Sequence, residues 1–396
     1  MMSKNKVPEI CFNGFSKELV ETRLGDICTI GDIDHRMPKS VLEGIPYLMT
    51  GDFIDNNGLD FKNCKFISIE DYEQLSRKIK PEVNDILFAR YASVGDVRYV
   101  ETDIKFLISY SCAIIKCNKD IVGRFLFYYL QSNRIQYQIE ININTGSQRN
   151  IGIDSLKKLT IFIPKIEEQE RIGNYFQQLD KLIEQKEKKY QKLKQFKKAM
   201  LDKMFPKNGA DTPEIRFKGF IGKWEEKEIN ELFIVTRGDV LAATETSSQK
   251  SEKMPYPVYS SQTKNNGLLG FYKKYLFENA ITWTTDGANA GTVKYREGKF
   301  YSTNVNGVLL SNDGYANLAI AEILNNIAWK HVSYVGNPKL MNNVMSKIKI
   351  IIPNTIEEQI QISKYIKQLD KQIDLQQKEL EKLKNIKKAS LAKMFV

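Results

Sequence analysis

The pattern of apolar and polar positions changes character twice along the chain, in the same way each time. Over 164–206 and again over 353–396, apolar residues recur in a 4-3 alternation while lysines fill the outer positions, which is the seam of a coiled coil. One seam position of the first copy holds Ile172, Leu179, Lys186 and Leu193, and its partner position holds Phe176, Ile183, Tyr190 and Lys197. The second copy gives Ile362, Leu369, Gln376 and Leu383 with Ile366, Ile373, Leu380 and Lys387. From Ile166 and Ile356 the two stretches align without a gap, with 22 identities in 40 positions. Each follows a proline, Pro164 or Pro353, and places paired glutamates in its first turn, where the positive end of a helix dipole favours them. Forty residues predict a rod of about 60 Å. A matched pair in one chain predicts that the two rods pack on each other. The polar seam residues Lys186, Lys197, Gln376 and Lys387 can fix their register at some cost in stability.

Outside the rods the periodicity shortens. In the first half, strands are predicted at 45–52, 85–90, 93–100 and 108–117 and a helix at 125–138. The polar loop NINTGSQRN follows at 142–150, and an apolar run at 159–163 leads into the rod. The second half repeats the plan with strands at 256–263, 279–285 and 291–295, a helix at 317–329 and an apolar run at 347–352. The openings match too, PEICFNGF at 8–15 against PEIRFKGF at 213–220, though Leu19 stands where the second half has Trp224. The expected organisation is a domain over 1–163, a helix over 164–206, a turn-rich linker at 207–213, a second domain over 214–352 and a second helix over 353–396. One scaffold carrying two different sets of loop residues implies that two different things are read.

Composition narrows this picture. The chain carries 59 Lys and Arg against 48 Asp and Glu, a formal charge of +11, which suits a polyanionic partner. The five cysteines form no close CxxC pair, and an odd count argues against a disulfide framework. No secretory leader and no apolar run near 18 residues is present, so a cytoplasmic protein without a membrane span is expected. Catalytic signals are nearly absent. His35 and His331 have no nearby cysteine or acid cluster, and there is no GxxxxGK[ST] loop, no GxGxxG and no adenine-methylating Asn/Asp-Pro-Pro-Tyr stretch. The chain is not expected to be an enzyme by itself.

Binding signals are better developed. Lys and Arg meet phosphates, while Arg reads guanine and Asn or Gln read adenine. Loops combining such residues are Arg90-Tyr91 with Ser93, the run Gln148-Arg149-Asn150, the run Ser260-Ser261-Gln262-Thr263-Lys264-Asn265, and Thr285 with Asn289. These are the candidate DNA-contacting residues. No catalytic, cofactor-binding or metal-binding residue is expected on this chain.

The paired Ile-Glu-Glu-Gln entries, the Gln-Leu-Asp-Lys steps at 178–181 and 368–371, the Leu-x-Lys-Met-Phe ends and the Pro-Glu-Ile-x-Phe-x-Gly-Phe starts resemble the specificity subunits of type I restriction-modification enzymes. Tyr259-Ser260-Ser261-Gln262-Thr263 and Gly291-Thr292-Val293 are similar to stretches of that family's target recognition domains. The resemblance implies an α+β fold: two mixed α/β recognition domains joined by two long helices in an antiparallel coiled coil, a pseudo-twofold internal repeat. It also implies a bipartite double-stranded DNA site, one half read by each domain, with the coiled coil setting the spacer. Two modification (methyltransferase) subunits using S-adenosylmethionine and restriction (motor-nuclease) subunits using ATP and magnesium would be the partners, with no cofactor on this chain. The competing expectation is a non-catalytic coiled-coil scaffold with two RNA- or protein-binding domains. A self-sufficient nuclease is a third, disfavoured by the missing metal-ligand cluster.

Overall fold

The computed structural model describes residues 8–13, 19–55, 57–146, 148–207, 210–261 and 264–395. It divides into two compact units, Met1–Lys188 with Lys378–Val396, and Lys189–Gln377. The division cuts each long helix, so the end of the second helix belongs with the first domain.

The core of the first unit is an antiparallel sheet ordered Cys28–Gly31, Cys112–Cys117, Ile86–Ala89, Val97–Tyr99. Its central strand reads Ile-Leu-Phe-Ala with every residue buried, as expected of a strand covered on both faces. Alternate residues divide between two cores. Ile86 and Phe88 pack with Phe125 and Tyr129 of the helix Gly123–Tyr129, while Leu87 packs with Tyr47 and Leu48. The latter belong to a smaller sheet, Lys65–Ile67, Ile45–Leu48 and Leu107–Ile108. The helix expected over 125–138 is two helices, Gly123–Tyr129 and Asn133–Ile141. Its interruption, Gln131-Ser132, has the turn chemistry that competes with a helical backbone. Gln136 Nε2 donates to the freed Leu130 carbonyl at 2.6 Å.

In the second unit one six-stranded sheet does the work of both. Its order is Ile234–Arg237, Asn306–Leu310, Phe277–Thr284, Val293–Ser302, Tyr256–Tyr259, Leu268–Tyr272. The long strand Val293–Ser302 runs uninterrupted where the first unit has two short strands, Val97–Tyr99 and Leu107–Ile108. The helix Leu318–Asn325 covers one face, and Asn317 caps it by accepting from the Ile320 amide.

Both units feed their long helix from a two-stranded ribbon, Val20–Arg23 with Thr160–Ile163 and Glu225–Glu228 with Lys349–Ile352. The helices span Ile166–Met204 and Ile356–Met394. The repeated Gln of each entry is buried and stitches the helix start to its domain. Gln169 donates to the Pro164 carbonyl and accepts from the Val122 amide; Gln359 donates to the Pro353 carbonyl and accepts from Asn317 Nδ2. The repeated Met-Phe ends are plugs. Met394 and Phe395 lie in the core of the first unit, with the Phe395 ring stacked on Phe176 at 5.5 Å. Met204 and Phe205 occupy the core of the second.

Within each unit the helix segments run antiparallel. In the first, Lys186 meets Glu379, Asp180 meets Lys387 and Tyr175 meets Ser390. In the second, Tyr190 meets Gln377 and Lys197 meets Asp370. Ile172, Phe176, Leu179, Ile183, Ile362, Ile366, Leu369 and Leu380 are buried, and Tyr190, Leu193, Ile373 and Leu383 half-buried. The seam lysines are matched by carboxylates from the two Gln-Leu-Asp-Lys steps: Lys387 to Asp180 and Lys197 to Asp370, each at 2.6 Å. A cation in a half-buried seam needs such a partner, so the repeated aspartate and the repeated lysine are halves of one device.

Candidate nucleic-acid interface

The same backbone frame closes each unit's loop end. In the first, the chain leaves the strand Ile86–Ala89 and returns within six residues, the Gly95 amide donating to the Ala89 carbonyl and the Ala89 amide to the Asp96 carbonyl. In the second, the Gly291 amide donates to the Thr284 carbonyl and the Thr284 amide to the Thr292 carbonyl. Both glycines have positive φ, 100° and 83°, and a Cβ on either would lie within 3 Å of a neighbouring side chain, so glycine is required twice over.

A second loop lies against this one. Tyr91 bridges to Asn150, which pairs with Asn144, and Asp286 bridges to Lys339, which pairs with Ser333. The Ile151 amide donates to the Arg90 carbonyl and the Leu340 amide to the Thr285 carbonyl. Sequence clusters far apart in the chain are thus neighbours: Tyr91 and Ser93 with Gln148 to Asn150, and Thr285 to Asn289 with Ser333 to Lys339. A third segment joins in the second unit, where the Thr303 amide donates to the Tyr259 carbonyl and Thr303 Oγ1 donates to Ser260 Oγ at 3.1 Å. The corresponding link in the first unit runs from the Ser109 amide to the Leu48 carbonyl, which places Met49–Asp52 there.

The individual candidates divide into outward and inward residues. Ser93, Gln148 and Arg149 are exposed and Tyr91 and Asn150 half-buried. Arg149 is ion-paired with Glu140, and Asn150 Nδ2 donates to the Gln148 carbonyl. Arg90, expected among the contacting residues, is turned inward and 5% exposed. Its Nη1 is paired with Asp32 and its Nε donates to the Ile151 carbonyl at 3.0 Å, so it is a post under the loop. Burial pushes the Asp32 carboxyl up, but the His35 hydrogen bond and the Arg90 and Lys78 contacts outweigh this and hold it below its usual range. His35 stacks on Tyr110 at 4.8 Å.

In the second unit Asn289 and Asn265 are exposed, and Ser260 and Ser261 half-buried. Asn265 and Asn266 both take left-handed φ, 49° and 57°, which asparagine tolerates better than most residues. The Asn266 carbonyl is held by Nη1 of the buried Arg296, whose guanidinium lies 3.8 Å above the Tyr259 ring; burial lowers that arginine to about 10. Thr285 is buried, its Oγ1 donating to the Val305 carbonyl at 2.8 Å, and so turns inward like Arg90. Gln262 and Thr263 lie outside the described residues, as does the side chain of Lys264.

The sequence reading missed Ser333–Lys339 and Met49–Asp52. Tyr334 and Val335 are 69% and 93% exposed, and this loop occupies in the second unit the place that Asn144 and residues 148–150 occupy in the first. The available signal was positional: each loop directly precedes a short helix, Ile153–Lys157 or Asn342–Met345, and then the strand that feeds the rod. Chemically the loop ends present amides, hydroxyls, aromatic rings and cations, the groups that meet base edges and phosphates. Among the described residues no group of three or more His, Cys, Asp or Glu could hold a metal ion, and no helix is long and apolar enough to cross a membrane.

A family model described as the type I restriction modification DNA specificity domain matches residues 16–195 and again 221–385. The chain is 25% identical over 359 residues to the putative type I restriction enzyme MjaX specificity subunit of Methanocaldococcus jannaschii, covering 85% of this chain and 83% of that one. It is 33% identical over 133 residues to the type I restriction enzyme MpnII specificity subunit of Mycoplasma pneumoniae, covering 33% and 39%. Two further M. pneumoniae specificity subunits match over 66% and 33% of their own lengths. The fold is similar to that of the type I restriction-modification S subunit from M. genitalium, with a TM-score of 0.69 at 19% identity over 98% of this chain and 99% of that one. These relatives are named as specificity subunits, and none supports the scaffold reading. With two copies of the domain together covering most of its length, the chain belongs to the type I restriction-modification DNA specificity family.

Proposed function

We propose that this chain gives a type I restriction-modification complex its DNA sequence, each unit reading one half of a bipartite duplex site. The observation that carries this is the twin loop frame, held by the same main-chain hydrogen bonds around Gly95 and Gly291 yet dressed with unlike side chains. Tyr91, Ser93, Gln148, Arg149 and Asn150 are the contacting residues of the first unit. Ser260, Ser261, Asn265, Asn289, Tyr334 and Lys339 are those of the second, with Gln262, Thr263 and Lys264 retained from the sequence. Arg90 and Thr285 support their loops from beneath. The paired long helices set the spacer and dock two modification subunits. S-adenosylmethionine belongs to those subunits and ATP with magnesium to the restriction subunits, all in the cytoplasm, with no cofactor on this chain.

Methylome sequencing of cells with and without this chain tests the reading. A bipartite adenine-methylated motif should vanish with the chain. Gln148→Ala with Arg149→Ala should relax the half-site of the first unit alone, costing about 1–3 kcal/mol per base contact. Asn265→Ala with Lys339→Ala should relax the other half. A uniform loss of affinity over all sequences would move these residues to phosphate contact, and an unchanged methylome would end the proposal.

A further inference from the structure

The entry segments of the two units are built alike. The Ile10 amide donates to the Lys393 carbonyl at 3.2 Å, and the Ile215 amide to the Lys203 carbonyl at 3.0 Å. Phe12 meets Tyr175 edge-on at 5.9 Å, and Phe217 meets Tyr365 in the same way at 5.8 Å. One residue earlier the two differ. Arg216 of the second unit grips Glu358, Nε to Oε1 and Nη2 to Oε2, both at 2.7 Å. Its Nη1 also donates to the Gly222 carbonyl at 2.6 Å. Glu358 is fully buried, and the buried Trp224 packs on Phe205. The residue in the place of Arg216 in the first unit is Cys11, and that in the place of Trp224 is Leu19.

The carboxylate has nonetheless been kept. Glu168, the counterpart of Glu358, is 4% exposed, and no side-chain hydrogen bond or ion pair reaches it from the described residues. It lines a small cavity with Ile10, Leu19, Phe162, Ile172 and Phe395. Burial alone pushes its acid up. An ionised carboxylate buried without a partner is costly, and the second unit shows which group relieves the cost in this frame. A planar guanidinium meets both oxygens at once, which an ammonium cannot do.

We propose that the first unit carries a receptor for an arginine side chain of a partner polypeptide, with Glu168 as the bidentate acceptor and the small cavity it lines widening beside Leu19 as the guanidinium enters. The second unit fills the same receptor from within. The two halves therefore offer unequal docking faces despite their common frame. That the arginine comes from a partner rests on the chain working as a subunit of a complex; the receptor itself does not.

Nα-acetyl-L-argininamide is the probe, and the half-exposed Cys11 thiol is the reporter. Millimolar probe should slow Cys11 alkylation by iodoacetamide at least threefold, the lysine analogue should not, and Glu168→Gln should abolish the protection. Cys11→Arg should raise the Tm of the full chain by supplying the missing latch. It should also weaken partner capture about tenfold, and Cys11→Ser should do neither. The receptor is refuted if the probe protects Cys11 equally in Glu168→Gln, or if Cys11→Arg leaves the Tm unchanged. Intact partner capture by a stabilised Cys11→Arg chain would refute the partner assignment. A methylome recorded in parallel reports on DNA reading separately, so its failure is told apart from failure of the receptor.

Discussion

The two units hold corresponding loops with chemically opposite posts. In the first, the Ile151 carbonyl accepts from Nε of Arg90, a buried cation fixed by Asp32. In the second, the Leu340 carbonyl accepts at the same 3.0 Å from Nε1 of Trp283, a neutral ring within the core. A buried ion pair is weak evidence of stability as a whole, yet losing either half leaves an uncompensated charge. A Trp N–H carries no such dependence. The loop frame is therefore insensitive to the kind of post, but the vulnerability of each loop is not.

The largest test of that contrast is Asp32→Ala. It strands Arg90 at 5% exposure and should cost about 3–5 kcal/mol in denaturant unfolding. Hydrogen exchange should quicken across residues 148–151 and not across 333–340. Trp283→Phe keeps most of the packing and removes only the donor, so about 1–3 kcal/mol is expected from the unsatisfied carbonyl, with the faster exchange now in the second unit. Equal costs, or exchange changes in the wrong loop, would break the comparison.

Acid and alkali should separate the carboxylates in the same way. Asp32 is held below its usual range in the folded protein, so its contribution is complete above the unfolded value near 3.9 and is lost as pH falls through the folded one. Glu168 is raised, so the folded state binds its proton more tightly. Its contribution is greatest at low pH and declines as pH rises from the unfolded value through the folded one. Asp32→Asn should flatten the acid limb of the Tm–pH curve, and Glu168→Gln should flatten the decline toward neutrality while raising the Tm there. Opposite slopes are the expected sign; like slopes would show that Glu168 has found a cation.

Much of this architecture was legible from residues alone, and the exceptions share a cause. The long helices were readable because a 4-3 pattern sustained over 40 positions has few other uses. Gly95 and Gly291 marked the tight returns because no other residue fits there. Arg90 and Thr285 read as surface loop because each follows an apolar strand, where a polar residue ordinarily meets solvent. Only the opposite loop, closing over their carbonyls, puts them inside. The loop Ser333–Lys339 escaped because it shares no sequence with NTGSQRN. What the two share is a pairing, Asn150 to Tyr91 and Lys339 to Asp286, and a pairing between distant segments leaves no local pattern. The roles of the repeated Gln-Leu-Asp-Lys steps stayed hidden for the same reason, since Asp180 and Asp370 meet lysines on the other helix.

Those helix pairs give the finest test of how far the likeness of the units extends. Lys387 and Asp180 are 16% and 21% exposed at their side chains, and Tyr128 also donates to Asp180 at 2.9 Å. Lys197 is 19% exposed and is shared between Asp370 and Glu322. Lys387 Nζ also lies 5.6 Å from the centroid of the Tyr128 ring, so each half-buried lysine answers to a group on its own unit's domain as well as to the opposite helix. Lys186 and Glu379 lie further out, at 29% and 40% exposure of their side chains. Lys186→Ala should therefore cost no more than about 0.2–1 kcal/mol, the range of solvent-screened pairs. Lys197→Ala and Lys387→Ala should each cost more, and by similar amounts, because each leaves a partly desolvated carboxylate unmatched. Double-mutant cycles with Glu379, Asp370 and Asp180 measure the three couplings directly. Similar values for the two inner pairs and a small one for the outer would place the common design of the units in the helices, leaving the loop posts and the Arg216 position as the places where they diverged.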